Sequence, residues 1–295
     1  MIVKSENAPE RSLRTSSCAP VRGLLHGRGR SGRPTGLWMR VGLLSLTLLS
    51  GCVTTTDSPF TRKADAEKAE EAYVQLGLAY LQRDNLERAR DAFTRAQEID
   101  SKSAPAVAGM GLVYQKEGEL ELAERQFKRA LSLQPTYTRG RTYYSALLFA
   151  RQRYEEAYEQ LQEAAKDTAF PDRAQVFMNM AVCAQRLGKP EAVVEAYERA
   201  LMLQRDMPQA LLGLATAKFE QGEVERARPL YERLVRQIRQ DGQLQHSPQS
   251  LWLGIRLALA AGDKDQEASL ALLLRNLYPE SQEFRQYKAM SANDR

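Results

Sequence analysis

The sequence predicts an all-α fold, an array of six two-helix units. Three observations predict it. From Ala66 onward apolar residues recur at i, i+3, i+4 and i+7, the period of one helix face, with short polar or Gly-containing breaks between. No stretch alternates with period two, so no sheet is expected. The chain also resembles itself at a spacing of 34 residues.

The elements follow in order. Residues 1–38 are rich in Arg, Gly, Ser and Pro and fit no helix or strand period. They hold seven basic residues against two acidic ones. Met39 is read as the true start, so this segment is expected to be a start-site artefact; the alternative is a long n-region. Residues 39–51 form a signal peptide: Arg40 is the positive n-region, and Val41 to Leu49 is an apolar h-region too short to span a membrane and stay. Leu49-Ser50-Gly51-Cys52 ends it. That run resembles the lipobox of bacterial lipoproteins, which implies cleavage before Cys52 and a diacylglycerol on its thiol. The Asp that follows the Cys in lipoproteins retained at the inner membrane is replaced here by Val53, which implies the outer membrane, periplasmic face. Residues 52–65 are expected to be a polar, lipidated tether. More than one acyl chain on one terminus anchors firmly, where a single chain anchors only marginally.

Repeat one, 70–103, places Tyr73, Leu76, Gly77 and Tyr80 on its first helix and Ala89, Phe93 and Ala96 on its second. Repeat two, 104–137, gives Val107, Met110, Gly111 and Tyr114, then Ala123, Phe127, Ala130 and a helix-stopping Pro135. Repeat three, 138–173, carries two extra residues near Phe170-Pro171. Repeats four and five, 174–207 and 208–241, keep the period, and repeat five lacks the stopping Pro. Residues 242–247 break the phase before repeat six, 248–281, and residues 282–290 are expected to form a cap helix within the domain 66–295. The spacing of small and aromatic residues resembles the tetratricopeptide repeat closely. The resemblance implies a right-handed superhelix in which small residues sit where the two helices of a unit cross.

The charge of +5 belongs to the N-terminal segment. From Cys52 onward 34 basic residues face 35 acidic ones, so no nucleic-acid partner is expected. The chain has only two His and three Cys, which leaves little for His-based catalysis or for a metal site. Cys183 lies among Met180, Ala181 and Val182 and reads as a small core residue. The carboxylates sit singly on helix faces, and no phosphate-cradling loop or nucleophile elbow is present. No enzyme activity, small-molecule substrate or metal is expected, and no cofactor beyond the covalent lipid on Cys52.

The candidate partner-binding groove is the concave side, lined by first-helix positions not used within a unit. These are Leu78 and Leu81, Leu112, Tyr143 and Phe149, Met178, Asn179 and Val182, Phe219, and Trp252 and Arg256. Many are apolar, and a row of exposed apolar side chains marks a binding surface. Packing against neighbouring repeats is the alternative fate for any one of them.

Tyr73-Val-Gln-Leu-Gly-Leu-Ala-Tyr-Leu-Gln-Arg83 opens the repeats, Arg153-Tyr-Glu-Glu-Ala-Tyr158 lies between, and Ser250-Leu-Trp-Leu-Gly-Ile-Arg256 with Leu277-Tyr-Pro-Glu-Ser281 closes them. With the lipobox, these stretches resemble the type IV pilus biogenesis and stability lipoprotein family (PilF/PilW-like). The resemblance implies a pilotin that binds the pilus secretin subunit and promotes its outer-membrane localisation and multimerisation. A scaffold lipoprotein for cell-envelope enzymes is the competing reading, separable by genome neighbourhood or by the phenotype of a deletion.

Overall fold

The computed structural model describes residues 59–293, with side chains from 63 to 292. The signal peptide, Cys52 and the first part of the tether lie outside the described residues. Within them the fold is all-α and forms thirteen helices: α1 (Pro59–Gln82), α2 (Leu86–Ile99), α3 (Ala104–Lys116), α4 (Leu120–Leu133), α5 (Thr138–Ala150), α6 (Tyr154–Ala165), α7 (Arg173–Arg186), α8 (Pro190–Leu203), α9 (Pro208–Glu220), α10 (Val224–Gln240), α11 (Pro248–Ala261), α12 (Lys264–Leu277) and α13 (Gln282–Asn293). No helix among the described residues is long and apolar enough to cross a membrane.

Consecutive helices pair as α1 with α2 through α11 with α12, and each pair packs on the next. This is the tetratricopeptide superhelix that the period predicted. The register is visible in the backbone. Every unit turns from its first helix to its second through a residue of positive φ at the same repeat position: Asp84, Gly118, Gln152, Gly188, Gly222 and Gly262. Four of the six are Gly, which enters that conformation without a Cβ clash.

Helix starts follow local chemistry. The side chains of Asn85, Ser103, Ser247 and Asp263 accept hydrogen bonds from backbone N–H groups three residues on. Proline opens α3, α8, α9 and α11, where its missing N–H costs no helix hydrogen bond. Helix α10 runs to 17 residues against 14 for α8.

The core is a stack of aromatic wedges. Phe93 on α2 is fully buried, and its ring lies against Gly77 of its own unit and Gly109 of the next. Phe127 lies against Gly111 and beside Tyr144, with ring centroids 6.3 Å apart. Tyr197 meets Gly213, and Tyr231 meets Gly254. The expected crossing glycines Gly77 and Gly111 thus do what their spacing implied. Gly109, Gly213 and Gly254 do the same job between units. Phe284 and Tyr287 of α13 close the far end against Leu251, Ile255 and Leu274.

Two expectations need correction. Helix α1 begins at Pro59, inside the stretch read as tether, so the helical array starts before Ala66. Tyr73 and Leu76, large repeat-pattern residues of the first helix that would fill the space between helices, are instead 37% and 42% exposed. At the position of Leu76 in later repeats, Tyr144 packs beside Phe127 and Gly254 against Tyr231, both of the preceding unit; among the described residues no unit precedes α1.

Candidate functional site

The first helix of each unit contributes the expected groove residues, and the structure places them unequally. Leu78 is half-buried beside the Val74–Phe93 cluster. Leu81 is a core residue, 8% exposed, which corrects its assignment to the groove. The reason is helical geometry. Seven residues make almost two turns, so Leu81 falls within about 20° of the buried Val74, on the stripe that faces α2. Met178, 7% exposed, is corrected likewise: it shares one stripe of α7 with buried Ala174 and Ala181. Leu112 is half-buried where two core clusters meet. Phe149 is half-buried, its ring edge-on to Tyr154 across the α5–α6 turn at 5.1 Å. Val182 and Trp252 are half-buried. Phe219 and Arg256, from adjacent units, stack with the guanidinium 4.3 Å from the ring centroid.

Tyr143 and Asn179 converge on one cleft, about 470 Å³ in volume, between α5 and α7. Arg139 and Thr142 line its α5 side, and Gln175 joins Asn179 on α7. Phe170 and Pro171 form a wall from the loop between α6 and α7. The Gln175 side-chain amide donates to Asn179 Oδ1 at 3.0 Å. Arg139 stands 3.8 Å from Asp172 and covers the Phe170 ring at 6.0 Å. Burial raises the Tyr143 phenol above its usual value, so its hydroxyl stays protonated and able to donate.

The strongest electrostatic centre lies elsewhere, at the junction of units two and three. Glu124 of α4, its side chain only 12% exposed, meets Lys128, Arg151 and Arg153 at 2.8, 2.9 and 2.8 Å, and accepts from the Tyr144 hydroxyl at 3.0 Å. Burial opposes its charge, but the hydrogen bonds from Lys128, Arg153 and Tyr144 outweigh it and bring the carboxyl down to about 2. This centre locks two units together. Cys183, 2% exposed, has its thiol pushed up to about 11 by burial, which makes it a packing residue.

Tetratricopeptide repeat family models match residues 70–103, 109–174 and 184–247. The type IV pilus assembly protein PilF of Pseudomonas aeruginosa is 38% identical over 242 residues, 82% of this chain and 94% of that protein. The chain belongs to the PilF family. A solved structure of Pseudomonas aeruginosa PilF aligns with a TM-score of 0.70 at 37% identity, covering 77% of this chain and 99% of that one. A crystal structure of PilW, a widely conserved type IV pilus biogenesis factor, aligns with a TM-score of 0.60 at 21% identity, over 74% and 97% of the two chains, and shares the fold. As a PilF-family tetratricopeptide array, the chain is a protein-interaction scaffold.

The sequence reading found Tyr143 and Asn179 but missed Arg139, Gln175 and Phe170 beside them. The signal was present as the two extra residues at Phe170-Pro171. They interrupt the period and leave seven residues, 166–172, outside any helix.

Proposed function

We propose that the protein is an outer-membrane lipoprotein, anchored on the periplasmic face by lipid on Cys52, that binds the type IV pilus secretin subunit and promotes its localisation and multimerisation. One observation carries this reading: the 38% identity to PilF extends over 94% of that protein's length. Likeness confined to the generic repeat positions would be weaker and patchier. The fold supports the reading through its surface. Stacked first helices present half-buried apolar side chains, Leu78 and Leu112 among them, beside polar ones such as Asn179 and Arg256. Such a surface binds a polypeptide segment by burying a few anchors, with no chemical step. The lipid confines the array to the membrane where the secretin assembles and raises its effective concentration there.

The test is the fate of Cys52→Ser. The variant is expected to be folded, soluble in the periplasm and unlabelled by palmitate, because the helical array begins several residues downstream at Pro59. A variant that stays in the outer membrane and takes up palmitate would overturn the anchor.

A further inference from the structure

The second helices of units four to six end in side chains that the repeat does not call for. On α8 and α12, Met202, Leu203, Leu272, Leu273 and Leu277 are between 42% and 68% exposed. Among the described residues the second helices of units one to three hold one large exposed apolar side chain, Ile99 at the end of α2. At the places of Leu272 and Leu273 every earlier unit is polar or charged, from Thr94 and Arg95 in unit one to Glu232 and Arg233 in unit five. Ala271 and Leu274 already fill the core side of α12, so the two leucines add nothing to its packing. The same helix ends are basic. Residues 199–205, 233–240 and 268–277 hold Arg199, Arg205, Arg233, Arg236, Arg239 and Arg275 and no carboxylate; Asp206, Asp241 and Glu280 follow just beyond them. Asp206 takes Arg233 at 3.0 Å, and the other five arginines make no ion pair among the described residues. A last-turn arginine complements the dipole of its own helix, but that does not account for the leucines beside it. In an antiparallel pair the second helix ends on the edge where the first begins. The ends of α8, α10 and α12 therefore lie on the edge of the stack from which the chain enters α1 at Pro59. Residues 242–247, which break the phase, join this edge and add no carboxylate.

We propose that this edge of units four to six is a membrane-contact surface, and that its occupant is a phospholipid bilayer carrying anionic headgroups. The leucine and methionine side chains enter the boundary between headgroups and acyl chains, and the arginines meet the phosphates around them, as on amphipathic helices that lie at an interface. A bilayer presents the same charge and the same apolar depth all along its surface, so it can meet three successive helix ends at once. A protein segment is the less favoured occupant. The exposed apolar side chains stand on two helices with the arginines of α10 between them, whereas a segment needs its anchors gathered in one place. The surface lies on second helices, away from Leu78 and from the cleft between α5 and α7. It is defined without the lipid on Cys52, and it deepens the lipoprotein reading by giving the array a second point of attachment.

The experiment is flotation of the full mature chain carrying Cys52→Ser with vesicles of phosphatidylcholine, alone or with about 30% phosphatidylglycerol. With no acyl chain of its own, the protein is expected to float with the anionic vesicles and to float weakly with the neutral ones. Partition onto the anionic vesicles is expected to fall about tenfold in Leu272→Gln/Leu273→Gln and in Arg236→Gln/Arg239→Gln, and to be unchanged in Arg95→Gln at the end of α2. Millimolar inorganic phosphate is expected to leave binding unchanged, which separates a bilayer from a site for free phosphate. The four substituted side chains of the double variants are exposed, so the fold is expected to survive, as circular dichroism checks; if the leucine pair melts early, the arginine pair carries the test. Three results would overturn the proposal: the parent does not float with anionic vesicles; both double variants float undiminished; or the parent forms a dimer in sedimentation equilibrium that Leu272→Gln/Leu273→Gln abolishes, while vesicles go unbound. Each leaves the anchor at Cys52 standing, since palmitate labelling tests that separately.

Discussion

The wedge between units one and two sets a sharp test of the packing. An Ala at Gly109 would place its Cβ 2.3 Å from Phe93 Cε1 and 2.5 Å from Cδ1. Ordinary carbon contacts lie at about 3.5–4.0 Å, so ring or helix must move by more than 1 Å. The ring has nowhere to go. On its other side a Cβ at Gly77 would stand 2.5 Å away, so that backbone already bounds the slot. Overpacking of this kind costs about 1–3 kcal/mol. Replacing a mid-helix Gly with Ala returns roughly 1 kcal/mol of helix propensity. The net expectation for Gly109→Ala is a loss of about 0–2 kcal/mol, read as a melting temperature lower by up to roughly 8 °C for an array of this size. Thermal melts followed by circular dichroism measure it. Hydrogen exchange should show the added opening in units one and two, because repeat arrays couple mainly to nearest neighbours. Adding Phe93→Leu, which thins the wedge, should make the Gly109→Ala step less costly. A Gly109→Ala variant that melts above the parent temperature would refute the wedge, since the gain in helix propensity acting alone gives that result.

Two further outcomes are expected. Glu124→Gln should destabilise the domain by about 1–3 kcal/mol at pH 7, because it leaves Arg151 and Arg153 without their shared carboxylate. The Glu124 carboxyl sits at about 2 in the fold against an ordinary 4.5, so its stabilisation is full above pH 4.5 and fades as pH falls toward 2. The gap between parent and variant in denaturant midpoint should therefore narrow over that window and stay constant above it. Leu81→Gln, at an 8% exposed core position, should cost about 2–4 kcal/mol, whereas Leu78→Gln should cost about 1 kcal/mol and leave a folded chain. Urea melts of the two single variants separate the core leucine from the surface one; equal losses would place both on the same face.

The period was legible because packing writes it into the sequence. Gly77 and Gly111 recur 34 residues apart where a helix crosses its partner, as do Phe93 and Phe127, which fill the space between. The turn residue recurs too, from Gly118 to Gly262, so the register survived even the break at 242–247. The start of α1 was illegible for the converse reason. Residues 63–68 are exposed all round, and a helix that buries no face has no apolar period to read. Leu78 and Leu81 show a second limit. Their spacing of three puts them on neighbouring faces, but only the direction of α2 decides that Leu81 is covered. The cleft shows a third, since its wall is built by residues outside the repeat, where no period constrains a prediction.

Secretin multimers in the outer membrane test the proposed action on the pilus secretin most directly. The measurement is the amount of heat- and detergent-resistant secretin multimer in purified outer membranes from a deletion strain, with and without the gene restored. Multimers are expected to fall to a small fraction of the parent level on deletion, to return with the parent chain, and not to return fully with Cys52→Ser. Outer-membrane multimers at parental level in the deletion strain would contradict it.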